Sequence, residues 1–440
     1  MDVAARVDSF FKISERGSSF RTEIRGGIVT FLAMAYVLVV MPITLEPAGM
    51  GKEQVFSATV IATIVGTGIM ALYAKFPIAQ APAMGTNAFF TYTIVIGMGY
   101  SWEEALAAVF LSGLLFFLIT ISGLREMVVN SIPKDLRLAI AAGLGAFLLF
   151  IGLQGSGIII GNSSTLVALG DMSSSAVLVA LFGIALTTAL YLRKFKTAIF
   201  VGVLVTTVIA MAVGITEVPS EFVSMPEAPY WGAFIDGLQT VHFDIIFVIV
   251  VLSFLMVNMF DTTGTIMAVS KEAGAMDDDG KIRDGGKMFL SDAVGTMTGA
   301  AIGVSTVSSY AESTIGIESG ARTGFSALVV CLLFFVALFF SPVFTVVTST
   351  STVAALFIVS VIMMGSLREI NWEDPAAAVT VVTTIMMMVL TYSITDGLGF
   401  GVIVYSLCKI FSGKWREISP VMYVLSLVFL VYFITVAVTF

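Results

Sequence analysis

Gln80-Ala81-Pro82-Ala83-Met84-Gly85-Thr86-Asn87-Ala88-Phe89-Phe90 and Gly303-Val304-Ser305-Thr306-Val307-Ser308-Ser309-Tyr310-Ala311-Glu312-Ser313 are apolar stretches with interruptions. Each opens with residues that suit a short extended segment and disfavour helix. In the first these are Pro82 and Gly85; in the second, the Val/Ser/Thr alternation. Each then continues as a half-helix. Irregular backbone at membrane depth survives only where protein or a watery cavity satisfies it. The free N–H groups where a half-helix begins can hold a polar ligand. An ordinary Gly/Ser packing surface is the plainer reading, but Asn87 and Glu312, following the two breaks, have no place in lipid.

The rest of the chain agrees that lipid is its main solvent. Its 440 residues are 58% hydrophobic and 12% charged, with a mean hydropathy of +1.01. Soluble domains are typically about half apolar and about a quarter charged. A soluble enzyme, a nucleic-acid binder and a disordered protein are excluded. The net charge of −8 sums over two membrane faces. Cys331 and Cys408 lie in apolar runs, without metal-ligand spacing or a disulfide framework. His242, the one histidine, cannot make a histidine metal site or a Ser-His-Asp triad by itself. No cofactor is expected.

A helical crossing needs roughly 20 mostly apolar residues. Fourteen such segments are expected, near 24–45, 54–74, 78–98, 104–122, 137–160, 174–192, 197–215, 244–270, 285–303, 305–320, 322–340, 343–366, 376–395 and 397–411. No cleavable signal peptide precedes them. The fold class is therefore all-α and integral to the membrane. With the N-terminus in the cytoplasm, Lys52 alone of the 22 basic residues falls in an outside loop. Outside loops carry Glu103, Glu104, Glu217, Glu221, Glu227 and Asp236 instead. One miscounted span would invert every later loop, so this positive-inside pattern supports the count. An apolar segment, 421–440, follows and fits either a further crossing or a helix packed along the bundle.

The outside stretch 216–243 divides seven spans from seven. An odd number per half forces opposite orientations, the arrangement of an inverted repeat. The expected organisation is a cytoplasmic segment 1–23, repeats 24–215 and 244–411 joined by the linker 216–243, and a C-terminal apolar segment 412–440. The interrupted stretches are the third span of each half.

Intramembrane acids are expensive and usually functional. Asp261, within Asn258-Met259-Phe260-Asp261-Thr262-Thr263-Gly264-Thr265 of the eighth span, is the stronger candidate, and Glu312 is the second. Asp292 lies on the weakly apolar ninth span. Asp396, with Gly397, reads as an outer turn, and Gly397-Leu398-Gly399-Phe400-Gly401 as a tight hairpin. Thr265 shares a helix face with Asp261, and Gly264 allows close approach of a ligand or backbone. Asn87 offers a donor and an acceptor. Phe89 and Ser309 complete the candidate binding set. Asp261, Glu312 and Asn87 suit a planar, polar, uncharged ligand with several N–H and C=O groups. No Arg or Lys falls at mid-membrane depth to neutralise an anion. Either carboxylate, withdrawn from water, can couple ligand movement to a proton. Sodium, which needs several oxygen ligands, is less favoured.

At these residues the chain resembles the AzgA-like adenine/guanine/hypoxanthine permeases, a branch of the nucleobase–cation symporter-2 group. The matching stretches are Thr30-Phe31-Leu32-Ala33-Met34-Ala35-Tyr36, Ala81 to Phe89, and Gly97-Met98-Gly99-Tyr100-Ser101-Trp102. Phe260 to Thr265, Ser308 to Ser313 and Gly320-Ala321-Arg322-Thr323-Gly324 follow in order. The resemblance implies a uracil-permease-like fold with a core of spans 1–4 and 8–11 and a gate of spans 5–7 and 12–14. It implies proton-coupled uptake of purine bases across the cell membrane, often by a homodimer. Asp261 and Glu312 would bind the base, with Asn87 in support.

Three alternatives make different demands. A uracil or xanthine permease would share the fold and the acid pair. An anion transporter of this architecture predicts a basic residue where Glu312 stands. An intramembrane protease needs paired Asp or His-rich motifs, which the sequence lacks.

Overall fold

The computed structural model describes residues 3–124, 131–275, 282 and 284–439. Arg125, Asp277-Asp278-Asp279, Lys281 and Arg283 of the expected inside loops lie outside these residues.

Among the described residues, nine helices are long and apolar enough to cross a membrane. They account for the first, second, fourth to sixth, eighth, eleventh, twelfth and fourteenth expected spans. Shorter helices, Ala198–Ala212 and Pro375–Leu390, supply the seventh and thirteenth. Gly285–Ile302 supplies the ninth. The third and tenth are the interrupted stretches, so all fourteen are present. The first span starts at Phe20, earlier than expected, because Ser19 Oγ accepts the Thr22 N–H at 3.3 Å and caps it. It breaks into α1 (Phe20–Met34) and α2 (Val37–Leu45) around Ala35 and Tyr36.

The interrupted spans cross each other. Strand β1 (Gln80–Pro82) pairs antiparallel with β2 (Val307–Ser309), in the register Gln80↔Ser309, Ala81↔Ser308, Pro82↔Val307. The Ala83 N–H donates to Thr306 O and the Tyr310 N–H to Ala79 O, both at 2.9 Å. Each strand thus satisfies backbone groups of the other, which is what permits extended chain at this depth. A half-helix follows each strand: α3 (Met84–Ala88), continued by a wider turn to Gly97, and α4 (Ser313–Glu318).

The helices pack as two groups. Spans 1, 2, 4, 8, 9 and 11 surround the strand pair, and spans 5, 6, 7, 12, 13 and 14 pack among themselves. The linker is tied down on the first group. Tyr230 Oη accepts the Gly51 N–H at 2.7 Å, and its ring lies 4.7 Å from that of Trp102.

Two expectations fail. The fifth span does not reach residue 160; its helix ends at Gly155. Ile159–Asn162 and Leu166–Leu169 then form an exposed hairpin. Gly157, at φ +76°, stops the helix. Asn162 Oδ1 accepts the N–H groups of Ser164 and Thr165 and closes the turn. Gly397 to Gly401 is no hairpin but the interior of a helix, α5 (Ile394–Phe411), and Asp396 lies in its first turn. The glycines serve close packing instead. A Cβ on Gly397 would meet the Met388 backbone N at 2.7 Å, and one on Gly399 the Phe429 ring at 2.7 Å.

Residues 420–439 form one helix, α6, antiparallel to α5. Ser426 Oγ lies 2.7 Å from Ser406 Oγ, and Tyr432 Oη donates to Asp396 Oδ1 at 3.1 Å. These contacts, with Phe429 against Gly399, run from the middle of α5 to its first turn.

Candidate functional site

Asp261 lies mid-way along α7 (Ile245–Glu272), the eighth span. Its Oδ2 accepts the Ser308 hydroxyl at 3.1 Å, so the strand crossing reaches the eighth span directly. Glu312 occupies the position before α4, and its Oε1 accepts the Tyr36 hydroxyl at 2.5 Å. Tyr310, two residues earlier, donates instead to Pro82 O at 2.6 Å. The two acids are thus held by the same short strand and its continuation. Both are partly exposed, as are Thr265 and, more fully, Gly264 and Ala311. A Cβ on Gly264 would meet nothing within 4 Å. These residues border open space, and the carboxylates can take N–H donors from a ligand there.

The remaining expected residues divide. Asn87 is fully buried and donates from Nδ2 to Ala83 O at 2.7 Å, leaving Oδ1 without a partner among the described residues. Thr265 makes no hydrogen bond to Asp261 among the described residues; Ser308 fills that role. Phe89 is fully buried, its ring 4.7 Å from that of Phe254, which shares a helix face with Asp261 seven residues on. Ser309 turns away from Asp261 and gives both its amide and its hydroxyl to Asp292.

Asp292 is the residue whose role sequence reasoning missed. It is fully buried in the ninth span and accepts from Thr262 Oγ1 at 2.7 Å, Ser309 N at 3.1 Å, Ser309 Oγ at 2.8 Å and Gln80 Nε2. Four donors from three segments offset its desolvation and join both strands to the eighth and ninth spans. An acid at that depth was itself the available signal; its partners were not legible. Tyr36 was passed over because nothing in the sequence tied the first span to the tenth. Among the described residues, no cluster of His, Cys, Asp or Glu could hold a metal ion.

On the far side, the seam between the two helix groups is closed. Tyr92 meets Tyr392 edge-on at 5.5 Å, and Thr93 Oγ1 donates to Tyr392 O at 3.3 Å. A cavity of about 30 Å³ beside them, lined by Val40, Thr44, Gly152 and Leu356, has room for little more than one water.

A paired broken-helix crossing with acids beside it is the architecture of a carrier. The model of the permease family matches residues 21–400. The chain belongs to the permease family. This permease is 44% identical to the guanine/hypoxanthine permease PbuG of Bacillus subtilis, with 97% of this chain and 99% of that protein covered. It is 35% identical to the adenine permease AdeP of Escherichia coli, with 96% and 95% covered. The expected place in the nucleobase–cation symporter group is borne out. Among solved structures, it resembles the transmembrane domain of a cyanobacterium bicarbonate transporter, BicA. The TM-score is 0.64 at 16% identity, covering 87% of this permease and 97% of that chain. At that identity the likeness shows the fold, the expected seven-plus-seven architecture. This permease is a multi-pass membrane transporter and not an enzyme.

Proposed function

We propose that this permease imports purine nucleobases into the cell by proton symport. The observation that carries the reading is the meeting of Asp261 and Glu312 at the strand crossing, both on the accessible side. Two carboxylates suit the several N–H groups of a purine edge, through charge-assisted bonds. The third, eighth and tenth expected spans carry no Arg or Lys that would neutralise an anion. The names of the guanine/hypoxanthine and adenine permeases above support the purine class.

Asp261 and Glu312 bind the base in this reading, and Asn87, Thr265, Phe89 and Ser309 shape or support the site. One of the two acids carries the coupled proton. Spans 1–4 and 8–11 act as the core and the rest as the gate. The distribution of basic residues supports a cytoplasmic N-terminus. The closed Tyr92–Tyr392 seam then lies outside, and the site opens inward. The family resemblance also implies a homodimer, which a mass measurement in detergent tests.

Uptake of labelled hypoxanthine, guanine, adenine, xanthine and uracil by cells lacking their own permeases tests the substrate class. Purine uptake that a protonophore abolishes is the expected result. Uptake of uracil alone, or of none of the five, overturns the purine reading; uptake of xanthine alone overturns the adenine, guanine and hypoxanthine assignment. Purine uptake that survives the protonophore overturns proton coupling.

A further inference from the structure

Tyr36 stands at the interruption between α1 and α2, buried to 2% exposure. A break in a membrane helix frees the chain to aim a side chain sideways into the bundle, and Tyr36 aims at Glu312. Two buried tyrosines flank that acid, and they behave differently. Tyr310 gives its hydroxyl to a backbone carbonyl, Pro82 O, and so serves the strand crossing. Tyr36 gives its hydroxyl to Glu312 Oε1, a charge-capable group of the candidate site, 276 residues away in sequence. Glu312 has three side-chain torsions and sits beside open space. Without an anchor its carboxyl would sample several rotamers. The Tyr36 bond fixes Oε1 and leaves Oε2 without a side-chain donor among the described residues.

We propose that Tyr36 is the positioning residue of the purine site: its hydroxyl holds the Glu312 carboxyl ready for the N–H edge of the base. The first span thereby contributes to recognition without touching the base itself. This role rests on the reading of Asp261 and Glu312 as base-binding residues. Its energetic meaning is preorganisation, in which a ligand binds more tightly because the group it meets is already oriented. A group that orients an acid acts chiefly on affinity, so KM rather than maximal rate should report its loss.

The test uses the full-length permease purified into proteoliposomes, with labelled hypoxanthine as probe. Wild type is compared with Tyr36→Phe, Tyr310→Phe, Glu312→Gln and the double variant Tyr36→Phe/Glu312→Gln, for binding and for uptake. Loss of one hydrogen bond to a charged group predicts about a tenfold rise in KM for Tyr36→Phe, with maximal rate nearly kept. Tyr310→Phe should lower thermal stability and leave KM near wild type. In the Glu312→Gln background, Tyr36→Phe should add little to the loss of binding. Tyr36→p-aminophenylalanine, which keeps an N–H donor at the reach of the hydroxyl, should bind more tightly than Tyr36→Phe.

An unchanged KM in Tyr36→Phe overturns the role, as does the same KM rise in Tyr310→Phe. Full additivity with Glu312→Gln also overturns it. Should Tyr36→Phe fail to fold, Tyr36→p-aminophenylalanine decides: wild-type-like affinity supports the role, and loss of binding in a folded protein overturns it. A wild-type protein that binds no purine overturns the substrate reading and this role together. Wild-type binding with an indifferent Tyr36→Phe overturns the role alone.

Discussion

Gln80 and Ser309 are register partners across the strand crossing, and both give hydrogen bonds to the carboxylate of Asp292. The neighbouring strand residue, Ser308, reaches Asp261, and Thr262 beside Asp261 returns to Asp292. The candidate site therefore leans on a second, wholly buried acid. One acid borders open space and the other holds the framework.

Replacing Asp292 with Ala should be among the most damaging single changes in the membrane interior. It leaves four donors without an acceptor, and each stranded polar group costs about 1–3 kcal/mol. The expected outcome is poor recovery, or a melting temperature in detergent well below wild type. Asp292→Asn keeps the shape and one acceptor oxygen and should lose less. A melting curve of Asp292→Ala that overlays wild type would show that the crossing does not depend on this hub.

Asp261→Ala should abolish purine uptake and leave the protein folded, since among the described residues Asp261 is tied to the framework by one side-chain bond, from Ser308. Asp261→Asn keeps the shape without the charge and should also cripple binding. For Glu312→Gln, the coupling proposal expects weaker accumulation or an altered pH dependence of uptake. Wild-type-like uptake by Asp261→Ala, monitored beside a melting curve, would remove it from the site. Unchanged accumulation and pH profile would do the same for Glu312 in coupling.

Glu23 is fully buried in the first turn of α1 and accepts the N–H groups of Arg322, at 2.8 Å, and Thr323, at 3.3 Å. These are orphan donors at the start of the eleventh span. Glu23→Ala should cost about 2–4 kcal/mol of stability, and Glu23→Gln, which keeps one acceptor, clearly less. Chemical denaturation in mild detergent would rank the two; equal losses would argue that the side chain only fills space.

The helix 420–439 reaches Asp396, in the first turn of the fourteenth span, through Tyr432. A helix matched along that length is expected to cross the bilayer with its neighbour. Reporters fused at the two ends of the chain should therefore fall on opposite sides of the membrane. Same-side reporters would place 420–439 along the surface of the bundle.

Gly397 packs so closely on the thirteenth span that a methyl group would lie 2.7 Å from the Met388 backbone N. Backbone cannot yield as a side chain can, so Gly397→Ala should destabilise by about 1–3 kcal/mol. Gly264, whose added methyl meets nothing, should tolerate Ala in a melting assay; any loss of uptake there would come from blocking the open space beside Asp261.

The sequence alone determined the solvent, the fourteen expected spans in two halves of seven and the two interrupted stretches, and left 421–440 open. These depend on local composition: a lipid-spanning helix needs an apolar run of sufficient length, loop charge sets orientation, and Pro82 with Gly85 disfavours helix in the third span. It also picked out Asp261 and Glu312, because an ionisable group in an apolar run is conspicuous without its neighbours. Only the tertiary structure decided that Ser309 serves Asp292 while Ser308 serves Asp261, that Tyr36 holds Glu312, and that the Gly397 stretch is helix. Each of those depends on which segment comes into contact, from 17 residues away for Ser309 and Asp292 to 276 for Tyr36 and Glu312. A hydrogen-bond partner or a tight glycine contact is a property of two surfaces brought together, and neither surface carries it alone.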